Sequence, residues 1–141
     1  MTGGSTRSRS LYSDFVGRRV RIASRSGVVV GELFLVSDYE LAVHGAPGTV
    51  VLMKGSVWSV ELSGSTECSG QIVPGEILSR LVGEKVSIVF GGNVGISGTV
   101  RTVSRYEIEI KSGDRVVLVP KGSIDRIVIA GEGDIFGGRT K

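Results

Sequence analysis

Few residues in this 141-residue chain could carry covalent or acid–base chemistry. There is one histidine, His44, and one cysteine, Cys68. A zinc centre of the usual kind takes several Cys and His ligands, so this set cannot build one. One cysteine also excludes an internal disulfide, and no basic residue or His adjoins Cys68 to lower its pKa. Glu107 and Glu109 are spaced to share one face of a strand. The matching positions earlier in the chain are Glu40 and Ala42, so the pair reads as a solvated face, not an acid–base couple. Gly131-Glu132-Gly133 is followed by too little chain to form the helix of a dinucleotide fingerprint. No catalytic constellation emerges, and the expectation is a protein without enzymatic activity, cofactor or metal.

The cations are more suggestive. Net charge is +3, and it is unevenly spread. Residues 11–62 are neutral, 63–76 carry −2, and 77–129 carry +3. Arg7 and Arg9 lie in a Ser-rich arm, and Arg18, Arg19, Arg21 and Arg25 crowd one stretch. Arg101, Arg105, Arg115 and Arg126 are spread through the second half. Positive side chains neutralise phosphates, and a basic arm can order along RNA. Ordinary charge scatter and a floppy terminus are the alternative reading. Apolar runs are only a few residues long, far short of the about 20 needed to span a bilayer. The first ten residues have no apolar core, so no signal peptide is expected. The expectation is a cytoplasmic protein with no membrane partner.

The elements that position these groups come in duplicate. Leu11-Tyr12, Phe15-Val16-Gly17, Val20 and Ile22 recur 66 residues later as Ile77-Leu78, Leu81-Val82-Gly83, Val86 and Ile88. After one insertion near Gly91-Gly92 the offset becomes 67. Gly31 then matches Gly98, Tyr39-Glu40-Leu41 matches Tyr106-Glu107-Ile108, and Lys54-Gly55-Ser56-Val57 matches Lys121-Gly122-Ser123-Ile124. The matches include turn and polar residues, which chance similarity between β-rich stretches would not supply. The division is a basic arm at 1–10, a unit at 11–62, a linker at 63–76, a second unit at 77–129 and a Gly-rich tail at 130–141.

Each unit opens with apolar residues at i, i+1, i+4 and i+5, the face of a short helix closed by Gly17 or Gly83. Five strand-like runs follow, in the second unit at 85–90, 96–103, 106–111, 115–119 and 124–129. Ser112-Gly113-Asp114 is a hairpin signal. Gly31 and Gly98 fall inside a long strand, where glycine marks a sharp bend or a close backbone approach. A helix and five short bent antiparallel strands make a small barrel. Units of about 50 residues are marginal alone, so the two are expected to dock edge to edge, and further chains could extend the arrangement. Trp58 stands where the second unit has Asp125, a position read as tolerating water. It is therefore a candidate interface residue, the alternative being a core Trp in a shifted register.

Helix, five strands, a glycine in the bent second strand and a Lys-Gly turn before the last strand resemble the Sm-like (LSm) proteins. The expected fold class is thus mainly β: two tandem Sm-like barrels, each a short N-terminal helix plus five bent antiparallel strands. The family's first motif, Asp-x-aromatic-Met-Asn, corresponds to Ser37-Asp38-Tyr39-Glu40-Leu41 and Ser104-Arg105-Tyr106-Glu107-Ile108. The aromatic is kept; the motif Asp and Asn are not. The second motif's Arg-Gly is Lys54-Gly55 and Lys121-Gly122, at a spacing closer to Hfq-type members.

The resemblance implies RNA binding, with the aromatic stacking on a base and the cation closing the other side. It nominates Tyr39 with Lys54 and Tyr106 with Lys121. Arg105, Arg19, Arg21, Arg7 and Arg9 are the supporting cations. Stacking on an aromatic ring gives about 1–3 kcal/mol per base and tolerates any base. Without the Asn, no side-chain amide is left to read a base edge, and Glu40 and Glu107 would repel phosphate. The expected function is a non-catalytic RNA-binding component of a ribonucleoprotein, a ribosomal subunit being one candidate host. The alternative is a protein-interaction or ring-forming scaffold, a homo-oligomer that uses Trp58 and the tail pair Ile135-Phe136, with RNA contact incidental.

Overall fold

The computed structural model describes residues 11–45, 48–91 and 94–129. The arm at 1–10, with Arg7 and Arg9, and the tail pair Ile135-Phe136 lie outside the described residues.

The chain is mainly β. The strands are β1 (Arg18–Ser24), β2 (Gly27–Val36), β3 (Glu40–His44), β4 (Thr49–Met53), β5 (Val57–Glu67), β6 (Gln71–Ile72), β7 (Lys85–Val89), β8 (Gly95–Val103), β9 (Glu107–Ser112), β10 (Arg115–Pro120) and β11 (Arg126–Ile129). They join in one 11-stranded sheet ordered β10-β9-β8-β7-β11-β4-β3-β2-β1-β5, with β6 parallel to β2 off this path. All other pairings are antiparallel. The two halves repeat one order: the fifth strand of each pairs with its first, followed by the second, third and fourth. The halves meet where β4 pairs with β11, in the register Arg126↔Leu52 to Ile129↔Thr49.

The expected helices are corrected. Leu11–Asp14 and Leu78–Leu81 are single 3-10 turns of four residues. Gly17 and Gly83 turn the chain into the strand at φ 88° and 90°, so there is no room for a longer helix. The stretch read as a linker contributes structure too: β5 runs on to Glu67, and β6 lies within it.

Gly31 and Gly98 are both close approaches. A Cβ on Gly31 would lie 2.1 Å from the His44 carbonyl oxygen, and one on Gly98 2.4 Å from that of Lys111. A register shift follows each, between Leu33 and Leu35 and between Val100 and Thr102, as expected of a strand bent by a bulge.

Alternation sets one core: Val20, Ile22, Leu33, Leu41, Val43, Val50 and Leu52 pack within the first half. A second cluster fills the other half and crosses the join. Phe34, Leu35, Ala42 and Val51 pack with Ile77, Leu78, Leu81, Ile88 and Ile127. The first half therefore buries the end of β2 on both faces, which explains its uninterrupted apolar run. Each large side chain so buried contributes about 1.5–3 kcal/mol relative to exposure. The matching positions of the second half are Arg101, Thr102, Glu109 and Leu118, of which Leu118 is 65% exposed.

Candidate nucleic-acid interface

The Tyr-bearing turn and the Lys-Gly turn are tied together in both halves. The Lys54 N–H donates to the Tyr39 carbonyl at 2.9 Å, and the Lys121 N–H to the Tyr106 carbonyl at 2.8 Å. The serine in place of the family's Asp shapes the first of these turns. Ser37 Oγ accepts the Glu40 N–H at 2.9 Å, and Ser104 Oγ accepts the Glu107 N–H at 3.1 Å. Each serine hydroxyl also donates to the carboxylate of its glutamate. This self-contained turn leaves the intervening ring outside: Tyr39 is 61% exposed and Tyr106 65%.

Both rings line one cleft of about 710 Å³ at the junction of the halves, with Arg25, Arg105 and Lys121 among its cations. Gly55 and Gly122 also line it, and nothing lies within 4 Å of a Cβ added at either. Arg105 sits over the Tyr106 ring at 5.4 Å, close enough for cation–π attraction. Lys121 is not free to meet a phosphate: its Nζ donates to both Glu76 oxygens at 2.7 and 2.9 Å and to the Arg105 carbonyl at 3.1 Å. Arg25 is likewise committed, its Nε 2.9 Å from Asp125 Oδ1.

Lys54 departs from its expected place. Its ammonium lies over the Tyr12 ring at 5.1 Å, and it is not among the cleft's lining residues. Arg19 pairs with Glu32 at 3.1 Å and Arg21 approaches Glu61 at 3.9 Å; neither lines the cleft. Trp58 is 71% exposed on β5, the outermost strand at one end of the sheet. Its counterpart Asp125 is 1% exposed, which corrects the reading of that position as water-tolerant. Asp125 is tied across the join: Ser56 Oγ and the Met53 N–H both donate to its carbonyl, at 2.9 and 3.2 Å.

Glu40 lines the cleft and is fully buried. Its Oε1 accepts the Ile77 N–H at 3.1 Å, which pins the first half's turn to the second half's 3-10 turn, and its Oε2 has no partner among the described residues. Burial raises its pKa, and Glu76 adds to the rise; bonds from Ser37 and Ile77 and the charge of Lys121 oppose it. Burial, with Glu32 nearby, also raises the Cys68 thiol, which argues against a reactive thiolate. No group of three or more His, Cys, Asp or Glu among the described residues could hold a metal ion. No helix is long and apolar enough to cross a membrane among the described residues.

The cleft thus unites Tyr39, Tyr106, Lys121 and Arg105 from the sequence expectation and adds Glu76 and Arg25. Glu76 lies in the stretch read as linker, and nothing in its spacing ties it to Lys121. Chemically the site offers two stacking rings and, in Arg105, a cation with no carboxylate partner among the described residues. No protein-family model matches the chain, and no curated protein sequence is significantly similar to it.

Proposed function

We propose that this chain is a non-catalytic RNA-binding protein that works as a component of a ribonucleoprotein, with a ribosomal subunit as one candidate host. Tyr39 and Tyr106, exposed by 61% and 65% in a single cleft with Arg105, carry this reading. Stacking on such rings tolerates bases of any identity. In the same proposal each half is an Sm-like barrel, a reading supported by the strand order the halves share and by the bent second strand at Gly31 and Gly98. A cytoplasmic location belongs to the proposal as well.

Filter binding against single-stranded and structured RNA over a salt series tests it. Tyr39→Ala and Tyr106→Ala should each weaken single-strand binding by about 1–3 kcal/mol, roughly 5- to 150-fold. Absence of binding at low salt would refute the proposal. Unchanged affinity in a variant would remove that ring from the RNA contact.

A second reading, a protein-interaction scaffold, is favoured by the β4–β11 join and by Trp58. The strands equivalent to β4 and β11 are β10 and β5, and both stand at the ends of the sheet. Extension by identical copies, for example three chains closing a ring, faces two obstacles. Pro120 replaces Met53 and has no N–H to donate, and Arg101, Thr102 and Glu109 replace the apolar Phe34, Leu35 and Ala42. Native mass spectrometry with and without nuclease treatment separates the two readings.

A further inference from the structure

The duplication allows each surface of the second half to be compared with its counterpart in the first. In the first half, Arg19, Glu32 and His44 sit side by side across β1, β2 and β3. Glu32 neutralises Arg19 there through an ion pair of 3.1 Å. The same row in the second half is Lys85, Thr99 and Lys111, in register across β7, β8 and β9. The central carboxylate has become a hydroxyl, and the row now holds two cations.

Neither lysine has a carboxylate partner within ion-pair distance among the described residues. Lys111 Nζ donates to the Gly113 carbonyl at 2.8 Å, which orients the ammonium without neutralising it. The next row along the sheet is Ser87 paired with Ser97, their hydroxyls 2.9 Å apart. Lys85, Ser87, Ser97, Thr99 and Lys111 line one shallow groove of about 420 Å³. Glu109, two residues before Lys111 on β9, is paired with Thr102 and Leu118, a row further along. Strands lie about 4.8 Å apart, so the lysine backbones are separated by roughly 10 Å. Flexible stems from such positions can converge on one phosphate or hold two in succession.

We propose that this groove binds the phosphodiester oxyanions of the RNA backbone, apart from the cleft that stacks bases. The two ammonium groups supply charge; the Thr99 hydroxyl, and whichever hydroxyl of the Ser87–Ser97 pair accepts from the other, supply neutral donors. The matching row of the first half carries Glu32, whose carboxylate would repel an oxyanion. The proposal rests on the RNA-binding reading, and its tests are chosen to fail separately from it.

The first test compares the intact chain with a Lys85→Gln/Lys111→Gln double variant, by the salt dependence of binding to a single-stranded RNA. Two lost phosphate contacts should lower the slope of log K against log salt by about 1.4. Thr99→Glu, which restores the first half's ion pairing without removing a lysine, should lower it in the same direction. Tyr106→Ala should weaken binding and leave the slope unchanged. RNA binding with an unaltered slope in both groove variants would overturn the groove and leave the cleft standing.

The second test needs no RNA. A titration of the intact chain with pyrophosphate, followed by amide NMR, should shift Ser97, Thr99 and Gly113 in the parent and not in the double variant. Such shifts would uphold the groove as an oxyanion site even if RNA binding failed. Their absence, or shifts scattered over the surface, would overturn it.

Discussion

Glu76→Gln should strengthen RNA binding. In the native chain Glu76 holds the Lys121 ammonium with contacts of 2.7 and 2.9 Å, and the lysine side chain is only 12% exposed. Arg25 is engaged by Asp125 at 2.9 Å. Among the described residues, Arg105 is left as the cleft cation with no carboxylate partner. Glutamine preserves the shape of Glu76 and an acceptor oxygen for Lys121, but removes the negative charge. Lys121 then keeps its hydrogen bonds to the glutamine oxygen and the Arg105 carbonyl but has no carboxylate to neutralise it, so the cleft gains one unbalanced positive charge. Each cation that meets a phosphate of single-stranded RNA adds about 0.7 to the slope of log K against log salt, so the slope should steepen by about 0.7. The gain at low salt should be at most about fivefold, matching the roughly 0.2–1 kcal/mol typical of an exposed charge pair. Fluorescence anisotropy with a short unstructured RNA, between about 50 and 200 mM salt, reads both quantities. An unchanged slope, or weaker binding in a variant that unfolds like the parent, would refute the assignment of this cleft to the RNA backbone and bases.

Two further predictions concern the frame that holds the cleft. Gly98→Ala would push a methyl to 2.4 Å from the Lys111 carbonyl oxygen and 2.7 Å from Ile110 Cγ2, so β8 and β9 must separate. A loss of about 1–3 kcal/mol in urea unfolding is expected, while Gly122→Ala, with nothing within 4 Å, should stay within about 0.5 kcal/mol. Equal stabilities would mean that the bend does not need glycine. Glu40 supplies a pH signature. Its folded-state pKa is raised, chiefly by burial, so the folded chain holds this proton more tightly than the unfolded one. Stability from this group is present at low pH and declines as pH rises through the raised value. Glu40→Gln removes that component, so the parent should lose stability relative to the variant between acid and neutral pH. Parallel denaturation midpoints across that range would show that the carboxylate does not titrate with folding.

The strands and the doubling were legible in the sequence because both are local patterns. Alternating apolar residues such as Ile108 and Ile110 between Glu107, Glu109 and Lys111 mark a strand, and repeated turn residues fix the offset. Gly31 and Gly98 announced a close approach for the same reason. The helices were over-read: the spacing of Leu11, Tyr12, Phe15 and Val16 marks an apolar face, but it does not say whether the turn before Gly17 is α or 3-10. Each Tyr-bearing turn and its Lys-Gly turn lie within one unit, so motif order brings their backbones together; the exposure of the rings and the departure of Lys54 toward Tyr12 do not follow from it.

Tertiary structure alone decided which charges are spent. Lys121 finds Glu76 across 45 residues and Arg25 finds Asp125 across 100, so neither pairing leaves a trace in local spacing. Two copies of one motif also came to differ because only one junction exists. Glu40 is buried and accepts the N–H of the second half's Ile77, whereas Glu107, its twin, has no such bond among the described residues and is only partly buried. Sequence set the repeat and its turns through side-chain size and periodicity. The packing of one half on the other set which of the repeated groups remain available to a ligand.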